Sequence, residues 1–343
     1  MLWKLPALLT FNMDENIRAT LLFLQDRLVL SEKQVNRVIV NCPSVLGFST
    51  TNLQSKLDIW TEERGVPAKD VGRMLVKHPP LLTYNMDENI RATLLFLQDR
   101  LVLSEKQVNR VIVRLPSVIS FSTTNLQSKL DFWTEERGVP AKDVGRMLVK
   151  APVLLGLSTD ENVRPTLLFL QDRLVLSEEE VNRVVVSVPS VLNFSTTNLQ
   201  SKLDFWTEER GVPAKDVGRM QWKFPSLLAF SIDKNIKPTL AWYEEKMGWS
   251  RHEMNEKLVY FPSFTGRSLP NRLIPRGVKL TALLEQLGHP HDEQKKIFRI
   301  KAGQLATLTD PKFEDMLLRL CIQQGLCIQQ GLCHVKLVTV GCA

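Results

Sequence analysis

The sequence predicts an all-α fold, a superhelical solenoid of about eight helical repeats of 36–37 residues. Three observations predict it. The triplet Asp14-Glu15-Asn16 returns at Asp87 to Asn89 and Asp160 to Asn162, and reappears as Asp233-Lys234-Asn235, each step being 73 residues. Pro6, Pro43, Pro79, Pro116, Pro152, Pro189, Pro225 and Pro262 halve that step into 37 and 36 residues alternately. No stretch alternates apolar and polar residues for long enough to argue a strand. Met13 to Val40 is identical to Met86 to Val113, so one surface is reused and function is expected in what repeats.

Each element follows from local pattern. Glu15 to Val29 carries Ile17, Leu21, Leu24 and Leu28, the apolar stripe of a first helix. Ser31, with Gln34 three residues on, opens a second helix through a capping box. Val35, Val38, Ile39 and Cys42 form its buried stripe, and Pro43 ends it because proline disfavours helix in the residue before it. Ser44 to Ser49 is too short for a full helix and suits one tight turn. In the alternate repeat Thr51 and Gln54 predict a capping box, and Gly65-Val66-Pro67 a stop, a turn and a restart.

These elements assign 1–277 to the repeat array, 278–320 to its C-terminal helical end and 321–343 to a low-complexity tail. Met1 to Pro6 superposes on Met74 to Pro79 and Met147 to Pro152. The expectation is therefore a truncated first repeat in a fragment or mis-assigned start, with any targeting peptide out of view.

The charge is +7 and the isoelectric point about 9.1, which favours acidic partners, nucleic acid first. No apolar run reaches the ~18 residues of a membrane span, so no membrane partner is expected. Cys42 takes the slot of Leu115, Val188 and Phe261, hence a core place. Cys321, Cys327 and Cys333 belong to a duplicated Cys-Ile-Gln-Gln-Gly-Leu hexamer and do not match metal-ligand spacing. His289 and His291 read as a polar turn. No phosphate loop, nucleophile–base arrangement or isolated carboxylate pair stands out, so neither catalysis, cofactor nor metal is expected.

The repeated surface is a basic ladder on the second helices. Lys33 and Arg37 open it, followed by Lys69, Arg73 and Lys77, then Lys106, Arg110 and Arg114, then Lys142, Arg146 and Lys150. The fifth rung keeps Arg183, and the sixth has Lys215, Arg219 and Lys223. Spacing of i, i+4, i+8 keeps each set on one helix face. Such cations neutralise phosphates without reading bases, and near-identical modules argue for backbone tracking over a base code. Eight repeats at ~10 Å each would cover on the order of 80 Å, roughly two duplex turns.

The bland alternative is a solvated face diluted by Glu32, Asp70, Asp143 and Asp216. A second basic set, Arg18, Lys56, Arg91, Lys129, Arg164, Lys202 and Lys237, lies on the first helices, with phosphate or surface ion pairs as its two readings. Trp60, Trp133 and Trp206 align with Leu24, Leu97 and Leu170, which points to core over base stacking.

Proline followed by an apolar pair, the Asn-x-x-x-x-Leu helix after it and the Gly248-Trp249-Ser250 junction resemble the mTERF repeat. Ser268-Leu269-Pro270-Asn271-Arg272-Leu273-Ile274-Pro275-Arg276 is similar to the signature that closes the array in mitochondrial transcription termination factor relatives. The resemblance covers about residues 1 to 320. It implies a curved helical stack, bent into a half-doughnut, that binds double-stranded DNA or structured RNA in a mitochondrion or plastid. It further implies a role in transcription, termination, splicing or ribosome assembly, and a monomer is expected. The alternatives are a helical-repeat scaffold for protein partners and an organelle RNA-binding factor.

Overall fold

The structure, a computed structural model, describes residues 17–323. The repeat fragment at Met1 to Pro6, the first triplet and the tail with Cys327, Cys333 and Cys342 fall outside the described residues. Every regular element among the described residues is helical, and the fold is an all-α repeat solenoid.

Eight helix pairs succeed one another. They are α1 (Ala19–Leu28) with α2 (Glu32–Asn41), α3 (Thr50–Asp58) with α4 (Ala68–Lys77), α5 (Ala92–Leu95) with α6 (Glu105–Arg114), and α7 (Thr123–Asp131) with α8 (Ala141–Lys150). There follow α9 (Arg164–Asp172) with α10 (Glu178–Ser187), α11 (Thr196–Asp204) with α12 (Ala214–Lys223), α13 (Lys237–Met247) with α14 (Arg251–Tyr260), and α15 (Ile274–Gln286) with α16 (His291–Thr307). A last helix, α17 (Asp310–Gln323), follows. Contacts divide the chain into two compact units, one ending at Asn198 and the other beginning at Leu199. In the first unit the second helices stack directly, α2 on α4, α4 on α6, α6 on α8 and α8 on α10. In the second unit α12 packs on α14, α13 on α16 and α15 on α16.

Among the described residues each proline landmark, from Pro43 to Pro262, starts a one-turn 3-10 helix such as Pro43–Gly47. Proline fits there because its fixed φ suits a first helical position and its missing N–H would find no partner. The capping box at Ser31 and Gln34 forms, whereas the one expected at Thr51 and Gln54 does not. The helix starts earlier: Ser49 is extended and its hydroxyl accepts from Asn52 N–H at 3.2 Å. Gln54 therefore lies too deep to reach back, and its amide donates to Asp58 instead.

The asparagine of the 73-residue landmark caps the helical segments that lead into α5, α9 and α13. Asn89, Asn162 and Asn235 Oδ1 accept from the backbone N–H of Asn85, Ser158 and Ser231 at 3.0–3.2 Å. Helix α5 runs into a wide π-type turn at Phe96–Arg100, and the first helices α3, α7 and α11 end in one, as at Ile59–Glu63. There the Thr61 hydroxyl donates to the Leu57 carbonyl, the local bond that loosens a helical ladder. Gly65 follows in the left-handed region at φ +61°, the stop expected of it.

The core lies between helices of neighbouring repeats. Val35, Val38, Ile39 and Cys42 are buried as the stripe requires. Trp60, Trp133 and Trp206 are buried too, so their rings are packing groups. Polar clamps reinforce the core. The Arg64 guanidinium donates to Asn109 Oδ1 from Nε and Nη2 (3.0 and 2.9 Å), while Asn109 Nδ2 donates to Arg64 O at 2.8 Å. Arg137 with Asn182 and Arg210 with Asn255 repeat this exchange. Each clamp skips 45 residues and ties the end of one first helix to the second helix of the next repeat.

Candidate nucleic-acid interface

All fifteen ladder residues are solvent-exposed. Helix periodicity places them opposite the buried stripe of each second helix, and they divide into three tiers by what they touch.

The last-turn tier is structural. Lys77 Nζ donates to Val113 O at 3.1 Å, Arg114 Nη1 to Val149 O at 3.1 Å, and Lys150 Nζ to Ser187 O at 3.0 Å and Val186 O at 3.2 Å. In the second unit Lys223 Nζ donates to Val259 O at 2.9 Å and lies over the Tyr260 ring. Each cation thus satisfies carbonyls that the next second helix leaves open at its C-terminus. Their donors are used largely in joining repeats.

The middle tier alternates. Arg73, Arg146 and Arg219 pair with Asp70, Asp143 and Asp216 three residues earlier, at 2.9, 2.8 and 3.2 Å. Arg37 and Arg110 have Gln34 and Gln107 in that place and make no hydrogen bond or ion pair among the described residues. Arg183 is engaged within the protein.

The first tier, Lys33, Lys69, Lys106, Lys142 and Lys215, has no hydrogen-bond or ion-pair partner among the described residues. These lysines sit in the first helical turn, where the helix dipole disfavours a cation and favours an anion.

Grooves form between second helices on this face. One, of about 350 Å³, is lined by Asp70 of α4, by Lys106, Asn109, Arg110 and Arg114 of α6, and by the Gly65–Pro67 turn. Its counterpart 73 residues on, of about 470 Å³, lies between α8 and α10 and includes Arg146, Lys150, Glu179, Arg183 and Ser187. Both are open troughs beside exposed guanidinium and ammonium groups, suited to a polyanion running over the surface.

The basic set on the first helices has a different fate. Lys56, Lys129 and Lys202 donate to the carbonyls of Tyr84, Leu157 and Phe230 in the following repeat, and burial pushes their ammonium pKa values down. Arg164 pairs with Glu136 and Asp160, and Lys237 with Glu209 and Asp233. Arg18 and Arg91 are engaged as well. Arg164 and Lys237 thus make the surface ion pairs of the second reading, while Lys56, Lys129 and Lys202 join repeats through carbonyls.

The closing signature is also structural. Arg276 is buried, donating to Leu305 O at 2.7 Å and Leu308 O at 2.8 Å, pairing with Asp310 and lying over the Phe313 ring. Arg272 donates to Leu308 O beside it. The pair caps the C-terminus of α16 and fixes the start of α17. His289 is mostly buried, with Nδ1 at 3.0 Å from Glu293, and its carbonyl accepts from Gln294 Nε2. No helix among the described residues is long and apolar enough to cross a membrane.

The clamps were not anticipated from sequence. Their signal was present: Glu-Glu-Arg-Gly recurs at Glu62 to Gly65, Glu135 to Gly138 and Glu208 to Gly211, and Asn109, Asn182 and Asn255 keep the same period. A polar pair 45 residues apart reads as two surface residues until the repeats are stacked.

The family model for mTERF matches residues 4–289. Among curated proteins, the chain is similar to transcription termination factor MTERF2, chloroplastic, of Arabidopsis thaliana, with 27% identity over 111 residues. That stretch is 32% of this chain and 16% of that relative's length.

Proposed function

The chain belongs to the mTERF family, and from that premise we propose that it is a non-catalytic, nucleic-acid-binding regulator of organelle gene expression. It grips the phosphate backbone of double-stranded DNA along the second-helix ladder and acts as a monomer on transcription or its termination. The observation that carries this reading is the first tier of the ladder. Exposed lysines recur at one place on α2, α4, α6, α8 and α12, without a partner among the described residues and against the helix dipole. A surface maintained only for solubility has no reason to keep cations there. A plastid or mitochondrial setting is proposed from the family and from the relative's name.

The test is a binding titration of the full chain against duplex DNA, structured RNA and single-stranded RNA at several salt concentrations. Duplex affinity is expected to fall steeply with salt, since each neutralised phosphate releases counterions. Lys69→Glu with Lys142→Glu should weaken binding about tenfold or more at moderate salt. Affinity that is flat with salt and indifferent to this double change would sink the proposal. Preference for unpaired RNA would replace duplex DNA as the target.

A further inference from the structure

We infer that the ladder is not a uniform track: the groove between α4 and α6 is its principal phosphate seat, and the equivalent groove between α8 and α10 has been switched off by substitution. This rests on the nucleic-acid reading above.

The two grooves are built from the same backbone positions 73 residues apart, so differences between them lie in side chains. In the α4–α6 groove, Asp70 is already paired with Arg73, and Lys106 and Arg110 have no partner among the described residues. Two positive charges therefore face the trough unneutralised. In the α8–α10 groove, Asp143 is likewise paired with Arg146. There Lys106 is replaced by Glu179 and Arg114 by Ser187, which leaves Arg183 opposed by an exposed carboxylate.

The helix dipoles sharpen the contrast. The first turn of α6 carries one acidic residue, Glu105, which is drawn to Arg64 of the clamp. The first turn of α10 carries Glu178, Glu179 and Glu180. Glu178 pairs with Arg137 as Glu105 does with Arg64, and Glu180 takes the capping place of Gln107. Glu179 and the added charge of Glu180 therefore set the α10 start apart and place carboxylates where a phosphate would gain from the dipole. Size does not decide the matter. The larger groove, about 470 Å³ against about 350 Å³, is the one with fewer unopposed cations: its Lys150 is tied to the Val186 and Ser187 carbonyls and its Arg183 faces Glu179.

The experiment compares the wild-type chain, Lys106→Glu/Arg110→Glu and Glu179→Lys/Ser187→Arg for binding to one labelled random-sequence DNA duplex across a salt series. The first double variant should bind about tenfold or more weakly, with a log–log salt slope shallower by about two contacts' worth. The second rebuilds the α4–α6 side chains on the α8–α10 backbone. It should bind several-fold more tightly with a steeper slope, a gain that misfolding cannot produce. If the wild type binds with a clear salt dependence but the second variant gains nothing, the inference is overturned and the functional reading survives. It is equally overturned if Arg183→Glu costs as much as Lys106→Glu/Arg110→Glu. If the wild type shows no salt-dependent binding, both fall together.

Discussion

At single residues, the repeats carry a backbone conflict that only one copy resolves. Val29, Val102 and Val175 end first helices at φ +53° to +55°, and Gly248 holds the same position in the fourth copy at φ +61°. A β-branched residue is badly suited to the left-handed region, because its Cβ crowds the following carbonyl. The conformation persists because the buried leucines on either side, such as Leu101 and Leu103, anchor the chain through the turn. Val102→Gly should relieve roughly 1–2 kcal/mol of strain and lose roughly 0.5–1 kcal/mol to glycine's freedom in the unfolded chain. The expected net is a gain of about 0.5–1 kcal/mol, read as a raised urea midpoint. Gly248→Val should do the reverse, and more, since its Cβ would also meet Lys295 Cδ at 3.1 Å. A lower midpoint for Val102→Gly would show that the turn is not strained. This feature was only half legible. Gly248-Trp249-Ser250 stands out as a junction, but Leu101-Val102-Leu103 looks like an ordinary apolar run, and nothing local to it announces a positive φ.

At the level of elements, helices and stops were readable because period, proline and glycine act locally. Ser31 with Gln34 and Gly65 behave as their neighbours dictate. The helix start at Ser49 was missed because Ser49, Thr50 and Thr51 are all competent caps, and the choice among them is made by packing of the preceding 3-10 turn. The ladder was legible as a face, but its division into tiers was not. Whether Lys77 or Arg114 reaches a neighbour's carbonyls depends on where the next second helix ends in space. The closing signature was recognisable as a motif, and its work emerges only when Arg276 is seen inserted beneath α16. That arrangement predicts a pH response. Hydrogen bonding and charge from Arg276 hold the Asp310 carboxyl below its ordinary pKa. A depressed carboxylate pKa contributes stability that is complete above the unfolded value and is lost as pH falls through the folded one. Asp310→Asn should therefore lower the Tm of the C-terminal unit at neutral pH and flatten its decline on acidification. The capping carboxylate Glu253, depressed by the Ser250 backbone N–H, accounts for part of the remaining slope. An unchanged acid limb in Asp310→Asn would show that Arg276 is held by the carbonyls alone.

For the whole molecule, the decisive quantity is how much of the positive charge is available to a polyanion. A net charge of +7 and fifteen ladder cations suggest an extended electrostatic track. The structure reduces that number. Four of the fifteen cap neighbouring helices, three pair with aspartates and Arg183 is engaged, which leaves Lys33, Arg37, Lys69, Lys106, Arg110, Lys142 and Lys215. Counterion release depends on cations that exchange solvent for phosphate; one paired with a carboxylate adds little net neutralisation, and one capping a helix must first give up its carbonyls. With a slope near −0.9 for each phosphate neutralised, seven available cations limit the log–log salt dependence of duplex binding to about −6, whereas all fifteen would approach about −13. A measured slope no steeper than about −6 would support the sorting of the ladder into binding and joining tiers. A slope well beyond that would mean that the caps and aspartate pairs open on binding, so that repeats exchange bonds with one another for bonds to phosphate. In that case Lys77→Met and Lys150→Met should reduce the slope as well as stability; on the present assignment they should lower stability and leave the slope almost unchanged.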